Sequence, residues 1–130
     1  MNIWFLEIGE PLPLEQEARP YRYGMLTRVL ASLGHEVVWW ASGFSHISKR
    51  QVCEQNVDVQ INGYTLRVIK GPGYQRSISY SRIRHQRDFA SRFFQYAKKY
   101  PPPDIIISPV PTIEVSYKAI QYALAYRVPI

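Results

Sequence analysis

The sequence has a single cysteine, Cys53, in 130 residues. No internal disulfide can form, and that usage fits a reducing compartment. No apolar run approaches the roughly 20 residues that cross a bilayer. The apolar run at the N-terminus has no basic start, which argues against a signal peptide. No His or Cys spacing matches a metal site. The glycine pattern G-x-G-x-x-G that marks a dinucleotide loop is absent after the first apolar run. Internal repeats and low-complexity segments are also absent. Acids are scarce: 10 Asp and Glu stand against 16 Lys and Arg, for a formal net charge of +6. That excess favours an acidic partner, whether nucleic acid, anionic lipid or a phosphorylated small molecule.

What is present is an ordinary globular mixture, 46% hydrophobic and 20% charged, long enough for one domain over residues 1–130. Residues 2–8 form a nearly continuous apolar run, the pattern of a strand covered on both faces. Gly9, Pro11 and Pro13 break it, and residues 9–20 form a charged loop. That loop is longer than the usual βα connection of about 2–6 residues. A helix is predicted over 21–33, with Leu26, Val29, Leu30 and Leu33 as the stripe facing a sheet. Gly34 suits its C-terminal stop. A second strand follows over 36–42, then a polar segment over 42–55.

Residues 57–61 and 64–69 alternate with period two around Asn62 and Gly63, the signature of a two-residue type I′ hairpin. The turn predicts Ile61 opposite Tyr64, Val59 opposite Leu66 and Val57 opposite Val68, with Asp58 facing Arg67. A basic segment follows. Over 80–100 it reads as a helix with Ile83, Gln86, Ala90, Phe93, Phe94 and Ala97 on one side. Arg84, Arg87, Arg92, Lys98 and Lys99 spread over the other. Pro101, Pro102 and Pro103 stop it. Residues 104–108 are another buried-type strand, and Pro109, Val110 and Pro111 form its exit loop. Thr112 is the expected N-cap of a last helix striped by Ile113, Tyr117, Ile120 and Leu124. Val128, Pro129 and Ile130 read as the opening of a further strand, so the chain is expected to be part of a longer protein.

In open α/β folds the ligand crevice lies at the carboxyl ends of the strands. Gly9 and Glu10 fall there, either as a strand-terminating turn with a solvated acid or as backbone and carboxylate lining the cleft. Arg19 and Arg22 flank a helix start, where the dipole disfavours cations and an anionic ligand offsets that cost. His46 follows the second strand, as a surface residue or as a polar or general-base group. Glu114 either complements a helix dipole or lines the cleft. His35 reads as structural and Cys53 as inert. The basic helix is a solvated face, or a docking face for anionic lipid through Arg84, Arg87 and Arg92. Nucleic acid is the least favoured partner, because the element order fits no nucleic-acid module.

Met1 to Trp4 leading into Gly9, Glu10 and Pro11, the junction from Leu33 to Val37, Ser42 to His46, and Pro103 to Pro109 occur in a particular order and spacing. Together they resemble the N-terminal half of a family 4 glycosyltransferase of the two-domain GT-B type, similar to those that assemble bacterial polysaccharides. The resemblance implies a Rossmann-like three-layer α/β/α sandwich with a mostly parallel sheet and, here, a hairpin insertion. It implies an acceptor-binding domain facing a C-terminal domain that holds most of a nucleotide-sugar donor. Transfer to a glycan acceptor, often lipid-linked, would take place between them without a metal or a separate cofactor. Under it, Gly9, Glu10, Arg19, Arg22 and Glu114 become substrate-binding candidates and His46 the catalytic one. The protein would be cytoplasmic, at the inner face of the membrane. The loop after the first strand departs from the family by lacking a second glycine. A non-catalytic binding domain of the same fold, or a nucleotide-dependent oxidoreductase domain, is the alternative.

Overall fold

The computed structural model describes residues 1–110 and 112–130. Pro111 of the expected exit loop lies outside them. Five strands form one sheet: β1 (Asn2–Leu6), β2 (Glu36–Ser42), β5 (Val57–Ile61), β6 (Tyr64–Ile69) and β7 (Ile105–Ile107). Two short strands, β3 (Phe44–Ser45) and β4 (Arg50–Gln51), make a separate antiparallel pair. The helices are α1 (Arg22–Ser32), α2 (Tyr80–Ala97) and α3 (Ile113–Tyr126). The sheet order is β5-β6-β2-β1-β7. Every pairing in it is parallel except the β5–β6 hairpin.

The hairpin has the predicted register, with Ile61 opposite Tyr64 and Asp58 opposite Arg67. Asn62 and Gly63 both have positive φ, 48° and 84°, as a type I′ turn requires. The Arg67 guanidinium pairs with Asp58 at 2.8 Å and lies over the Tyr100 ring at 3.5 Å. The backbone N–H of Ile106 donates to Pro129 O at 2.9 Å, so the last residues lie along β7.

Strand alternation sends side chains to two faces. Ile3, Phe5, Val37, Trp39, Tyr64, Leu66 and Val68 form one cluster, covered by α1 and by Leu12 of the β1–α1 loop. Trp4, Leu6, Val38, Trp40 and Ile106 form the other, under α2 and α3. The two faces make a three-layer α/β/α arrangement, compatible with a Rossmann-like fold.

The helix faces correct the sequence reading in two places. In α1, Leu26, Val29 and Leu33 are exposed, and only Leu30 of the expected stripe turns to the sheet. Gly24 and Thr27 are the buried contacts. In α3, Ile113, Tyr117, Ile120 and Leu124 are all exposed, while Val115, Ala119, Tyr122 and Ala123 are buried. The physical reason is fit around the tryptophans of the sheet. Helix α1 meets the sheet on Gly24 and Thr27, and α3 sets Val115, Ala119 and Ala123 around the buried Tyr122, whose ring lies 5.6 Å from that of Trp4. A Cβ on Gly24 would stand 3.6 Å from the Trp39 ring and 3.1 Å from Pro20. Helix α2 packs on larger side chains as well. Ala90, Phe93 and Ala97 are buried as expected, His85 and Phe89 join them, and Ile83 is exposed. Thr112 stands at the α3 N-cap position, but its hydroxyl donates to Pro109 O instead of capping the helix.

Candidate functional site

The chain moves from β1 outward to β2 and β6, then returns to place β7 on the other side of β1. The order reverses between β1 and β7, and a crevice at that point is where open α/β sheets bind ligands. Three polar features border it or its neighbouring strand exits.

The first is the β1–α1 loop, in which the chain's own carboxylates occupy the amides. Glu7, buried at the end of β1, accepts from the Gly9 N–H. Burial pushes its carboxyl above the usual value, and the Glu10 charge adds to that against the backbone N–H groups that oppose it. The Glu10 carboxylate accepts from Tyr23 N and Gly24 N, both at 2.9 Å. It thereby supplies from a distance the N-cap that Tyr21 lacks. A helix N-terminus in this position is an anion site in dinucleotide-binding folds. Here Glu10 is the anion. The rest of the loop folds down over Trp39 and Tyr64 and leaves a gap of only about 10 Å³ between Pro11, Pro20 and Gly24. Gly9 is exposed at the crest of the loop. Arg19 and Arg22 are exposed beside it, and neither is ion-paired with a carboxylate among the described residues. The Arg22 guanidinium lies 5.8 Å from the Tyr23 ring centroid.

The second feature is the exit of β2 and β6. The β3–β4 pair, which the sequence reading took as a polar loop, folds the chain back here, and Gln51 Nε2 ties it to Gly71 O at 2.8 Å. His46 sits in its turn. Its Nδ1 is 2.5 Å from Tyr74 Oη and 3.2 Å from Lys49 Nζ. An ammonium can only donate, so Nδ1 is the accepting nitrogen and Nε2 carries the proton. Burial lowers the imidazole's pKa, and the charges of Lys49 and Arg82 lower it further. The ring is therefore neutral at pH 7 and presents an N–H through Nε2.

His85, which the sequence places within the basic segment, lies behind this turn. It is 2% exposed. Its Nδ1 accepts from Gly73 N at 3.1 Å, so its Nε2 donates to Ser42 Oγ at 3.0 Å. Burial holds its pKa down at about 4 against the pull of Asp88. Phe44 and Tyr74 pack on its ring, with centroids at 5.3 and 5.4 Å. Gly71 and Gly73 are required by this packing: a Cβ on the first would stand 2.8 Å from the His85 ring, and one on the second 2.7 Å from Phe44. The signal available in the sequence was the paired glycines around Pro72, which mark backbone pressed closely against side chains.

The third feature is the α2–α3 groove of about 460 Å³. Arg87, Ser91, Glu114, Tyr117 and Lys118 line it. Arg87 and Glu114 thus share a surface, Arg84 lines a neighbouring hollow together with Arg87, and Arg92 is exposed on α2. Arg92 pairs with Asp88 at 2.9 Å. The structure therefore separates the candidates into Gly9 with Glu10, His46 with Lys49 and Tyr74, and Glu114 with Arg87. Among the described residues, no three His, Cys, Asp or Glu side chains gather as a metal site would.

These features define an α/β protein with a mostly parallel five-stranded sheet and polar groups at its carboxyl edge. No family model matches the chain, and no curated protein matches it.

Proposed function

We propose that the chain is the acceptor-side domain of a GT-B-type glycosyltransferase, one that moves a sugar from a nucleotide-sugar to a glycan acceptor. The observation that supports this most is the reversal of strand order between β1 and β7 beneath a loop whose amides are already occupied. Such a loop has no cradle left for a dinucleotide pyrophosphate, which weighs against the oxidoreductase alternative. It leaves the exposed Gly9 backbone, Arg19, Arg22 and the crevice polar groups to meet a hydroxylated acceptor. Glu114 extends that surface into the α2–α3 groove.

His46 is the titratable side chain best placed for proton transfer. It is neutral at working pH, and its Nε2–H faces a substrate oxygen as a donor. A base role requires the proton to shift to Nδ1, toward Tyr74. Arg19 and Arg22, free of carboxylate partners, supply charge toward a leaving diphosphate. The basic face of α2, with Arg84, Arg87 and Arg92, suits an anionic membrane carrying a lipid-linked acceptor, in keeping with work at the inner face of that membrane.

The test is glycan binding by the chain, measured on an oligosaccharide array and by saturation-transfer NMR. The expected result is retention of specific glycans, weakened in His46→Gln and Glu114→Gln, with no sugar transfer by the 130-residue chain alone. Binding of a nicotinamide dinucleotide with no glycan retained would overturn the proposal.

A further inference from the structure

The β5–β6 hairpin and the C-terminal end of α2 border a hollow of about 190 Å³. Asn56, Asp58, Arg67, Tyr96, Lys99 and Tyr100 line it, together with the buried Trp40. The polar groups are held in place. The Arg67 guanidinium pairs with Asp58 Oδ2 at 2.8 Å, and it lies 3.5 Å from the Tyr100 ring centroid and 4.8 Å from that of Trp40. Asn56 Oδ1 accepts from Lys70 N at 2.8 Å, so the Asn56 Nδ2 is free to donate to Tyr96 Oη, at 3.0 Å. At the end of α2 the Lys99 N–H donates to Tyr96 O at 3.0 Å and the Tyr100 N–H to Ala97 O at 3.2 Å. This tight turn sets Lys99 Nζ 4.9 Å from the Tyr96 ring centroid.

The hollow keeps donors and an acceptor unused. Tyr96 Oη accepts from Asn56, and its own proton has no acceptor among the described residues. Lys99 belongs to none of the three ion pairs found there. Asp58 meets Arg67 through Oδ2, which leaves Oδ1 without a partner among the described residues. Arg67 and Asp58 offset each other, so the charge left over in the hollow is that of Lys99. An ammonium and a phenol proton call for an anionic acceptor, whereas a carboxylate oxygen calls for a hydroxyl donor.

We infer that this hollow is a binding site for one anionic sugar, a hexuronate unit. The sugar carboxylate takes Lys99 Nζ and the Tyr96 hydroxyl, and ring hydroxyls donate to Asp58 Oδ1. Tyr96 and Tyr100 give the aromatic walls, with few polar groups set among them, that are usual in small-molecule sites. A simple carboxylate would bring no donor to Asp58, and a neutral hexose would leave Lys99 without an anion. The site shares no lining residue with the His46 cluster or the α2–α3 groove, and it does not depend on the transferase reading.

The test is an NMR titration at low salt with D-glucuronate, D-glucose and acetate in parallel, followed at the amides of residues 56–58 and 96–100. The Trp40 indole N–H serves as a buried reporter, since it has no acceptor among the described residues. D-Glucuronate should shift these resonances saturably, with glucose and acetate each bound at least about tenfold more weakly. Lys99→Gln should weaken glucuronate binding about fivefold, the loss of one ionic contact near the surface. Tyr96→Phe, which keeps the ring, should weaken it to a similar degree. Lys98→Gln removes equal charge one residue away, where the ammonium lies over Phe94, and should leave binding unchanged. His46→Gln should also leave it unchanged, so the crevice and the hollow fail separately. Equal affinity for acetate or for glucose, absence of glucuronate binding, or undiminished binding by folded Lys99→Gln would overturn the inference.

Discussion

Gly73 and His85 fix each other. The glycine N–H donates to His85 Nδ1 at 3.1 Å, which leaves only Nε2 to carry the imidazole proton and directs it at Ser42. Protonation at Nδ1 would set two N–H groups against each other in a buried site. The pKa is accordingly lowered from 6.5 to about 4. Below pH 6.5 the unfolded chain takes up a proton that the native chain refuses until about pH 4. Stability is therefore full above pH 6.5 and falls as pH drops through that window, by about 3 kcal/mol as an upper bound. Glu7, raised above its ordinary 4.5, acts with the opposite sign at the acid end. Denaturant midpoints measured from pH 7 to pH 4 should show the fall in wild type and a shallower slope in His85→Gln. Parallel slopes for the two proteins would show that His85 is not the source.

Gly71 bears on the same contact from the other side. An added Cβ would meet the His85 ring at 2.8 Å, inside van der Waals contact. Gly71→Ala should cost about 1–3 kcal/mol through overpacking, read as a lower denaturant midpoint with an unchanged slope. Gly34→Ala provides a contrast. No heavy atom lies within 4 Å of the Cβ site there, and only its positive φ of 86° opposes the substitution.

Glu10 caps α1 from outside the helix, so its removal should be felt as a lost cap and not as a lost surface charge. Two amides lose their partner at once. Glu10→Ala should cost about 1–2 kcal/mol. Hydrogen exchange at Tyr23 and Gly24 should accelerate ahead of the rest of α1. Glu17→Ala, at an exposed acid in the same loop, should leave exchange at those amides unchanged.

The elements themselves were legible because each rests on local chemistry. Asn62 and Gly63 fix a turn type and hence a register, and the runs ending at Leu6 and Ser42 are apolar on both faces. The inward faces of α1 and α3 were not legible. Both helices carry two apolar stripes of similar period, and the choice between them belongs to the sheet's tryptophans. Gly24 of α1 and Ala119, Tyr122 and Ala123 of α3 are the residues buried against the sheet, while Leu26 and Leu124 face solvent. The site was legible as a location, because β-strand exits are readable from the run of elements. Its partnerships were not. Glu10 with Gly24, and Ser42 with His85, join residues far apart in the chain through contacts that no local pattern encodes.

The α3 assignment is open to direct measurement. Ala119 is fully buried, and Leu124 is 76% exposed. Ala119→Leu should destabilise by about 1–3 kcal/mol by forcing a larger side chain into a packed helix–sheet interface. Leu124→Ser should stay within about 0.5 kcal/mol of wild type. The reverse ranking in urea denaturation would restore the stripe of Ile113, Tyr117, Ile120 and Leu124 as the inward face.

The outer face of α2 carries the last expectation. Arg84, Arg87 and Arg92 are exposed, and Tyr80 at the start of the same helix and Ile78 just before it stand 76% and 96% exposed. Apolar tips beside basic side chains are the pattern of an interfacial docking face, with each Lys or Arg contributing about 1 kcal/mol at an anionic surface. Arg92 is partly spoken for by Asp88, so Arg84 and Arg87 are the cleaner pair to reverse. Sedimentation with vesicles containing phosphatidylserine should show binding that weakens steeply with added salt. Arg84→Glu, Arg87→Glu and Arg92→Glu together should lower partitioning by about a hundredfold, while vesicles of phosphatidylcholine alone retain little of either protein. Unchanged partitioning of the triple variant would remove α2 from the membrane reading and leave it a solvated helix face.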